Sequence, residues 1–347
     1  VDASQNILKN TIDYQYQNKD FFFGMTPGFF EDTDKLGHLR HEYLLPINIE
    51  KTLMANEKYG FIDLDSNIKI RNYDTNKKSN FLVNNFNWMS NKWLSKSGIE
   101  NYFEGLVKTV NYKAENTDKY KNENSNAEAN AALGYFAKLG LYKNDIANNN
   151  FYTLTPRFLL RYAPGHMRKT DGGRLNYGNV FNLSKTNEFD VVESGLSSSI
   201  GFEYKKNKLK KNNVIGDETF SFAAAQVISE KENMDISSRT SLEQRFSDVV
   251  GVVNYKINDK MNLNYNFSID QNYKDFNYNE IGSDFKFEDT KFNISYLQEK
   301  KHIGEQEQVK YGFDFKINNS SELSFNSKRN LLTSSAEFYN LSYNYIN

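Results

Sequence analysis

Residues 261–270, "MNLNYNFSID", alternate between large apolar and small polar side chains. The apolar positions are Met261, Leu263, Tyr265, Phe267 and Ile269, and the polar positions are Asn262, Asn264, Asn266, Ser268 and Asp270. A period of two predicts a β-strand with one apolar and one polar face. Such a strand suits a soluble sheet, whose apolar face meets a protein core. It also suits a transmembrane barrel, whose apolar face meets lipid.

The same alternation recurs from one end of the chain to the other. It is found in 42–53, 61–71, 191–204 and 309–318. The Ala-rich stretch 125–142 admits a helical reading, but its alternation and internal glycines favour a strand. We count about 13–15 strands of about 8–12 residues. The sequence therefore predicts an all-β fold, an antiparallel up-and-down meander of long strands.

Composition excludes several classes of function. The 43 Lys and Arg residues nearly balance the 44 Asp and Glu residues, so no basic field points to nucleic acid as a partner. The chain has no cysteine, which excludes disulfides, cysteine-bound zinc and thiol catalysis within it. A transmembrane helix would need about 18 consecutive apolar residues, and no such run is present.

Strand length and loop character favour the membrane barrel. Soluble strands average about five or six residues, whereas a tilted membrane-crossing strand needs about 9–11. The stretches 61–71, 191–204 and 308–318 reach that length. A tight turn at 256–262 contrasts with long polar loops at 112–126 and 229–244, as in outer-membrane meanders. Two alternatives stay open: another outer-membrane porin or channel, and a soluble β-rich binding or adhesin protein.

No arrangement of residues indicates catalysis. The four histidines, at positions 38, 41, 166 and 302, lack further converging metal ligands. Asp63 and Asp65 are neighbours on one strand face, and we interpret them as wall residues. The stretch "KKNKLKK" (205–211) is predicted to be a basic loop. We expect no enzyme activity, no cofactor and no metal site.

Two stretches resemble the LptD family of LPS-assembly outer-membrane proteins: "TLTPRFLLRYAPGHM" (153–167) and the following 180–205. The matching positions are Leu154, Pro156, Arg161, Tyr162 and Pro164, then Asp190, Glu193, Gly195, Gly201 and Tyr204. Residues 30–46, 84–98 and 338–347 are also similar to family stretches. The order of these motifs is the specific feature of the resemblance.

The resemblance implies an integral β-barrel of the Gram-negative outer membrane, the wall of the translocon that inserts lipopolysaccharide (LPS) into the outer leaflet. Implied partners are LPS, the bilayer, a plug lipoprotein similar to LptE, and periplasmic LPS-bridge proteins. The bridge proteins would bind an N-terminal jellyroll that this chain lacks. Residues 1–347 would then be a single barrel-domain fragment, an open arc without the first and last strands.

In such a wall the polar strand faces would line the lumen. The residues that we expect on this lumen wall are Asp63, Asp65, Lys69, Arg71, Arg157, Arg161, Glu193, Glu203, Asn262, Asn264 and Asn266.

Overall fold

The computed structural model describes residues 7–32, 35–117, 120, 124–170, 172–210, 214–301 and 304–345. Within these residues the chain forms one sheet of 21 strands, with 3-10 turns at Gly37–Arg40 and Ser238–Thr240. The strands are β1 (Ile7–Thr11), β2 (Tyr14–Asn18), β3 (Phe21–Met25), β4 (Gly28–Asp32), β5 (His41–Asn56), β6 (Gly60–Tyr73), β7 (Lys77–Met89), β8 (Trp93–Leu94), β9 (Ile99–Glu115), β10 (Asn126–Leu139), β11 (Leu141–Asp145), β12 (Asn150–Ala163), β13 (Gly195–Leu209), β14 (Ile215–Ser229), β15 (Val249–Asn258), β16 (Met261–Ile269), β17 (Phe276–Phe287), β18 (Thr290–Glu299), β19 (Gln306–Asn318), β20 (Ser321–Asn330) and β21 (Ser335–Tyr345). The predicted all-β class is confirmed.

The described chain has more strands than the predicted number of about 13–15, and many of its long strands exceed the predicted length of about 8–12 residues. In the described chain, fifteen strands contain nine or more residues, whereas β1–β4 and β11 contain five each and β8 contains two. The Ala-rich stretch forms β10, so its prediction as a strand is confirmed.

Several predicted boundaries were wrong. The loop expected over 112–126 starts only after Glu115, where β9 ends. The strand expected over 191–204 begins only at Gly195, because the residues before it leave the sheet. The basic stretch expected as a loop belongs to β13 as far as Leu209, while Lys211 lies outside the described residues.

All pairings in the sheet are antiparallel. From β5 onward each long strand pairs with the next long strand, and the short β8 and β11 lie beside β9 and β12. At the start, β1 pairs with β4 and β2 with β3, and both β3 and β4 pair with β5. Within the described residues β21 has no pairing with β1 or β2, so the sheet is an open meander.

In each strand, alternate residues point to the same face. The register places the polar set of most strands on one face of the sheet, because directly opposed residues of antiparallel strands point to the same side. We call it the covered face, since the covering segment, residues 164–170 and 172–194 of the described chain, lies on it. Its central rows are Asp65, Asn85, Lys108 and Asn130, then Leu159, Ser199 and Val227, then Val250, Ser268, Tyr278 and Glu299.

The connections at the two ends of the strands differ in length. One end has the two-residue turns 259–260, 288–289 and 319–320. The other end carries the covering segment and residues 230–248, which we call the second segment. The predicted contrast between short turns and long loops is confirmed.

The main apolar core lies between the covering segment and the sheet. Leu175, Val180 and Leu183 of the segment pack with Leu159 and Val227 of the strands, and all five are buried. Ile236 and Leu242 of the second segment join the same cluster. No helix within the described residues has the length and hydrophobicity needed to span a bilayer.

Candidate functional site

The covered face of β5–β7 carries a ladder of paired polar side chains. Arg71 donates two hydrogen bonds to the Glu42 carboxylate, with N–O distances of 2.6 and 2.8 Å. The Asp65 carboxylate accepts from the side-chain amides of Asn67 at 2.6 Å and Asn85 at 3.2 Å. Bidentate and charge-assisted bonds of this kind hold side chains in fixed orientations. The ladder is therefore an ordered surface of mixed charge.

Arg161 of β12 is the centre of a buried junction with the covering segment. Its guanidinium donates to the carbonyl oxygens of Leu183 and Glu193, and it lies 3.4 Å from the Glu193 carboxylate. Glu193 also accepts a hydrogen bond from the backbone N–H of Thr186. Both charged side chains are nearly inaccessible to solvent. A buried charge needs such compensation, so this pair requires the segment to be seated on the strand.

Arg168 holds the beginning of the covering segment. Its guanidinium contacts Glu128 of β10 at 2.8 Å and Asp190 at 2.9 Å. It also lies over the rings of Tyr112 and Tyr120. Although burial opposes the charge, the hydrogen bond that Arg168 donates to Glu128 and the charge of Asp190 raise the pKa of Arg168. Arg168 thus joins both ends of the segment to the wall.

Lys108 of β9 anchors the other side of the segment. Its ammonium donates to the carbonyl oxygens of Glu188 at 2.7 Å, Phe189 at 3.1 Å and Val191 at 3.4 Å. Those three bonds use all the donors of a lysine. Ser199 of β13 adds a 2.7 Å bond to the carbonyl oxygen of Val180.

Lys185 is a buried cation with weak compensation. Its Nζ donates to the Asn182 carbonyl oxygen at 3.4 Å. Burial, with a smaller contribution from the Arg161 charge, lowers the pKa of Lys185 to about 7. A cleft of about 450 Å³ beside it is lined by Arg161, Glu193 and residues of the second segment.

The second segment closes over the covering segment. The backbone N–H of Thr170 donates to the Asp235 carbonyl oxygen at 2.9 Å. The Asn233 amide contacts the Ser194 carbonyl oxygen at 3.4 Å. The two long connections therefore form one packed layer on the covered face.

The structure gathers most of the predicted wall residues on the covered face. These are Asp63, Asp65, Lys69, Arg71, Arg157, Arg161, Glu203, Asn262, Asn264 and Asn266. Glu193 differs, because it belongs to the covering segment and not to a strand. That this face lines a lumen stays a prediction.

The motif positions divide between the two faces and the covering segment. Leu154, Pro156, Tyr162 and Tyr204 lie on the opposite face, Gly201 lies on the covered face, Gly195 begins β13, and Pro164, Asp190 and Glu193 belong to the segment. Gly201 lies so near β14 that a Cβ atom there would come within 2.5 Å of the Ala224 carbonyl oxygen. Gly195 has a φ of 112°, which glycine adopts without strain.

Lys108, Arg168 and Lys185 were not predicted from the sequence, and neither was the burial of the covering segment. One signal was present in β14 and β15. There the strict alternation fails, and Ala225, Val227 and Val250 make the covered face apolar as well. A strand that is apolar on both faces predicts a cover on each.

Histidines do not form a site in the described part of the chain. His41 contacts the Phe29 ring, His166 lines the cleft beside Lys185, His302 lies outside the described residues, and nothing is described of the His38 side chain. No group of three His, Cys, Asp or Glu residues that could hold a metal ion is found among the described residues.

The open meander, its alternating faces and its long strands define a protein of the β-barrel wall class. The family model of LptD, described as LPS transport system D, matches residues 107–339. The chain belongs to the LptD family. The match runs from β9 to β21, so the similar stretches at 30–46 and 84–98 lie outside it, and most of 338–347 does too.

Comparison with individual proteins adds little. No curated protein matches the chain. Two mutants of the porin from Rh. blastica are similar in structure at 9% and 10% sequence identity. The first covers 77% of this chain and 90% of its own with a TM-score of 0.28, and the second covers 98% and 99% with 0.34. A likeness at this level supports no argument about function.

Proposed function

We propose that this chain forms part of the wall of an outer-membrane translocon through which LPS reaches the outer leaflet. The covered face would border the hydrated interior, and the opposite face would contact lipid. The wall would act without a chemical step, as a passive conduit. Family membership supports the LPS cargo at a general level. The distribution of exposed apolar side chains supports the orientation.

That distribution is the observation on which the proposal depends. Large apolar side chains are exposed along the opposite face of nearly every long strand. Examples are Ile70, Phe86, Val107, Leu133, Leu160, Ile200, Tyr255, Ile281, Ile294, Tyr311 and Leu341. Soluble monomers rarely expose contiguous apolar surface of more than a few hundred Å². Contact with lipid accounts for this face, and a hydrated interior accounts for the mixed charges on the other.

The finer features implied by the resemblance belong to the same proposal. The chain would be one barrel domain, residues 1–347. Its partners would be LPS, the bilayer, a plug lipoprotein similar to LptE and the periplasmic LPS-bridge proteins. Support for the plug and bridge partners comes from the resemblance alone.

Site-specific photo-crosslinking in cells tests the function. A photoreactive residue at Asn264, on the covered face, should crosslink to LPS only while LPS is being synthesised. The same residue at Leu263, on the opposite face, should give lipid crosslinks that persist when synthesis is inhibited. Absence of synthesis-dependent LPS crosslinks at both Asn262 and Asn264 would reject the function.

A further inference from the structure

We propose that a cleft between the covering segment and strands β6, β7 and β9 binds a neutral, hydroxyl-rich sugar unit in preference to a phosphorylated one. The inference rests on the proposed function and names the part of the cargo that this place would contact. The cleft has a volume of about 400 Å³. Small-molecule sites usually have about 300–1,000 Å³.

Polar groups without partners meet in this cleft from two different elements. Asn85 of β7 and Ser184 of the covering segment both line it. The Asn85 Oδ1 and Ser184 Oγ atoms are buried and have no hydrogen-bond partner among the described residues. Buried polar atoms are usually paired, because leaving one unpaired costs about 1–3 kcal/mol. A ligand hydroxyl can donate to the first atom and either donate to or accept from the second.

The Glu104 carboxylate adds a further acceptor. Glu104 of β9 lines the cleft and makes no hydrogen bond or ion pair with another described residue. Asn87 of β7 lines the cleft and is exposed. The groups that remain free are therefore mainly acceptors, and they call for a ligand that brings several donors.

The charge of the cleft disfavours phosphate. Three carboxylates line it, from Asp65, Glu104 and Glu188, against the single ammonium of Lys108. That ammonium is already bonded to three carbonyl oxygens. Lys92, whose charge also acts on Glu104, is bonded to Glu100 at 3.2 Å. An anionic group would meet unbalanced negative charge, whereas neutral hydroxyls would not.

An apolar side completes the fit to a sugar ring. Phe61, Met89, Leu106 and Leu183 line the cleft together with its polar groups. A pyranose has C–H faces as well as hydroxyl edges. Pockets that pair apolar walls with a few placed polar groups fix the orientation of such a ligand.

Protection of a single cysteine from a water-soluble maleimide tests the proposal in the complete protein in detergent. Residues 1–347 contain no cysteine, so Asn87→Cys introduces at the cleft a thiol that is unique within them. Galactose and glucose should slow its modification in a saturable way, at millimolar concentration. Glucose 6-phosphate should require at least about five times more. Asn264→Cys, exposed on the same face away from the cleft, should not be protected.

Further substitutions in the cleft distinguish binding at this site from a nonspecific effect of the added sugar. Ser184→Ala and Glu104→Gln, each in the Asn87→Cys background, should weaken protection by neutral sugar at least about threefold. Glu104→Gln should also reduce the discrimination against glucose 6-phosphate. Matched changes outside the cleft, Ser197→Ala and Glu322→Gln, should leave protection unchanged.

Three results would overturn the inference: no protection by any neutral sugar, equal protection by the phosphorylated sugar, or protection by Ca²⁺ alone. The crosslinking at Asn264 is measured on the same protein. Synthesis-dependent LPS crosslinks without sugar protection would reject the cleft and leave the function standing. Sugar protection without LPS crosslinks would reject the function.

Discussion

Arg161 is bound by three oxygen atoms of the covering segment, which come from Leu183 and Glu193. In the sequence, Arg161 and Glu193 belong to two separate family motifs, and in the structure they form one buried pair. At these two positions the motifs therefore mark a junction between wall and segment. Their residue types follow from the need to compensate charge in a place without water.

We predict that Glu193→Gln loosens this junction. The amide keeps the size of the side chain, but it leaves the Arg161 charge without a counterion. Removing one partner of a buried ion pair costs about 3–5 kcal/mol. The measurement is the opening free energy of residues 180–194 by hydrogen exchange.

A matched control is Glu203→Gln on β13. Its carboxylate lies 2.9 Å from the partly exposed Lys205, and a pair of this kind contributes about 0–1 kcal/mol. Equal losses in the two variants would show that the burial of the Arg161–Glu193 pair has no special effect.

Lys185 makes the seating of the covering segment depend on pH. Its pKa falls from 10.5 to about 7 in the seated state. The charged groups near it are Arg161, which lowers the pKa, and Glu193, which raises it. Below about pH 7 the Lys185 amine is protonated whether the covering segment is seated or open, so the seated state bears the full cost of burying the charge. The opening free energy should therefore rise as the pH increases from about 7 to about 10.

Lys185→Met should abolish that rise and make the opening free energy at pH 7 larger, by on the order of 1–4 kcal/mol. Hydrogen exchange of the covering segment, corrected for its intrinsic pH dependence, is the measurement. Lys205→Met, which changes a lysine outside the junction, serves as control. An unchanged pH profile in Lys185→Met would contradict the assignment.

At the scale of the element, β16 shows how alternation separates the two faces. Leu263 opposes Tyr255 and Ser283, whereas Asn264 opposes Asn254 and Gly282. The polar, even-numbered residues of this strand lie on the covered face, and its apolar, odd-numbered residues lie on the opposite face. A single residue step along β16 therefore changes the face of the sheet on which a side chain lies.

We predict that Leu263→Arg destabilises the membrane-embedded protein by about 2–4 kcal/mol, since a charge on the lipid face of a barrel has that cost near the midplane. Asn264→Arg, one residue further on, should change stability by less than about 1 kcal/mol. Reversible unfolding in lipid vesicles by urea measures both. Similar losses at the two positions would contradict a lipid-facing row.

At the scale of the whole molecule, the sheet has one face covered over its centre and one face that exposes large apolar side chains on nearly every long strand. The covering and second segments pack mainly on β9–β15 and reach β7 at Phe81 and β17 at Tyr278, while β5, β6 and β18–β20 retain polar rows. The interior would therefore be packed at its centre and hydrated at its sides.

Cysteine scanning over residues 61–71 tests this division. Thiols at the odd positions, such as Asp63 and Lys69, should react with a charged, water-soluble reagent at least about tenfold faster than thiols at Ile62, Leu64 and Ile70. The physical reason is that the ionised thiolate required for reaction forms in water and not in lipid. Equal labelling at odd and even positions would rule out the barrel-wall orientation.

Much of the wall could be predicted from the sequence because strand faces are a local property. Successive side chains of a strand point to opposite sides, so the letters of 61–71 and 261–270 suffice to assign their faces. Strand length and the contrast between turns and loops are equally local. Register then follows from keeping the apolar parities on one side.

The seating of the covering segment was decided by the tertiary structure. Lys108 and Glu188 lie 80 residues apart, and nothing in the sequence near either residue indicates the other. Residues 164–194 have no period, so their burial depends on the apolar surface that β12, β14 and β15 present to them. By itself the sequence determined which side of each alternating strand is apolar, because that depends on neighbouring residues alone. Which loops cover the polar side, and where they leave a cleft, depended on contacts between distant parts of the chain.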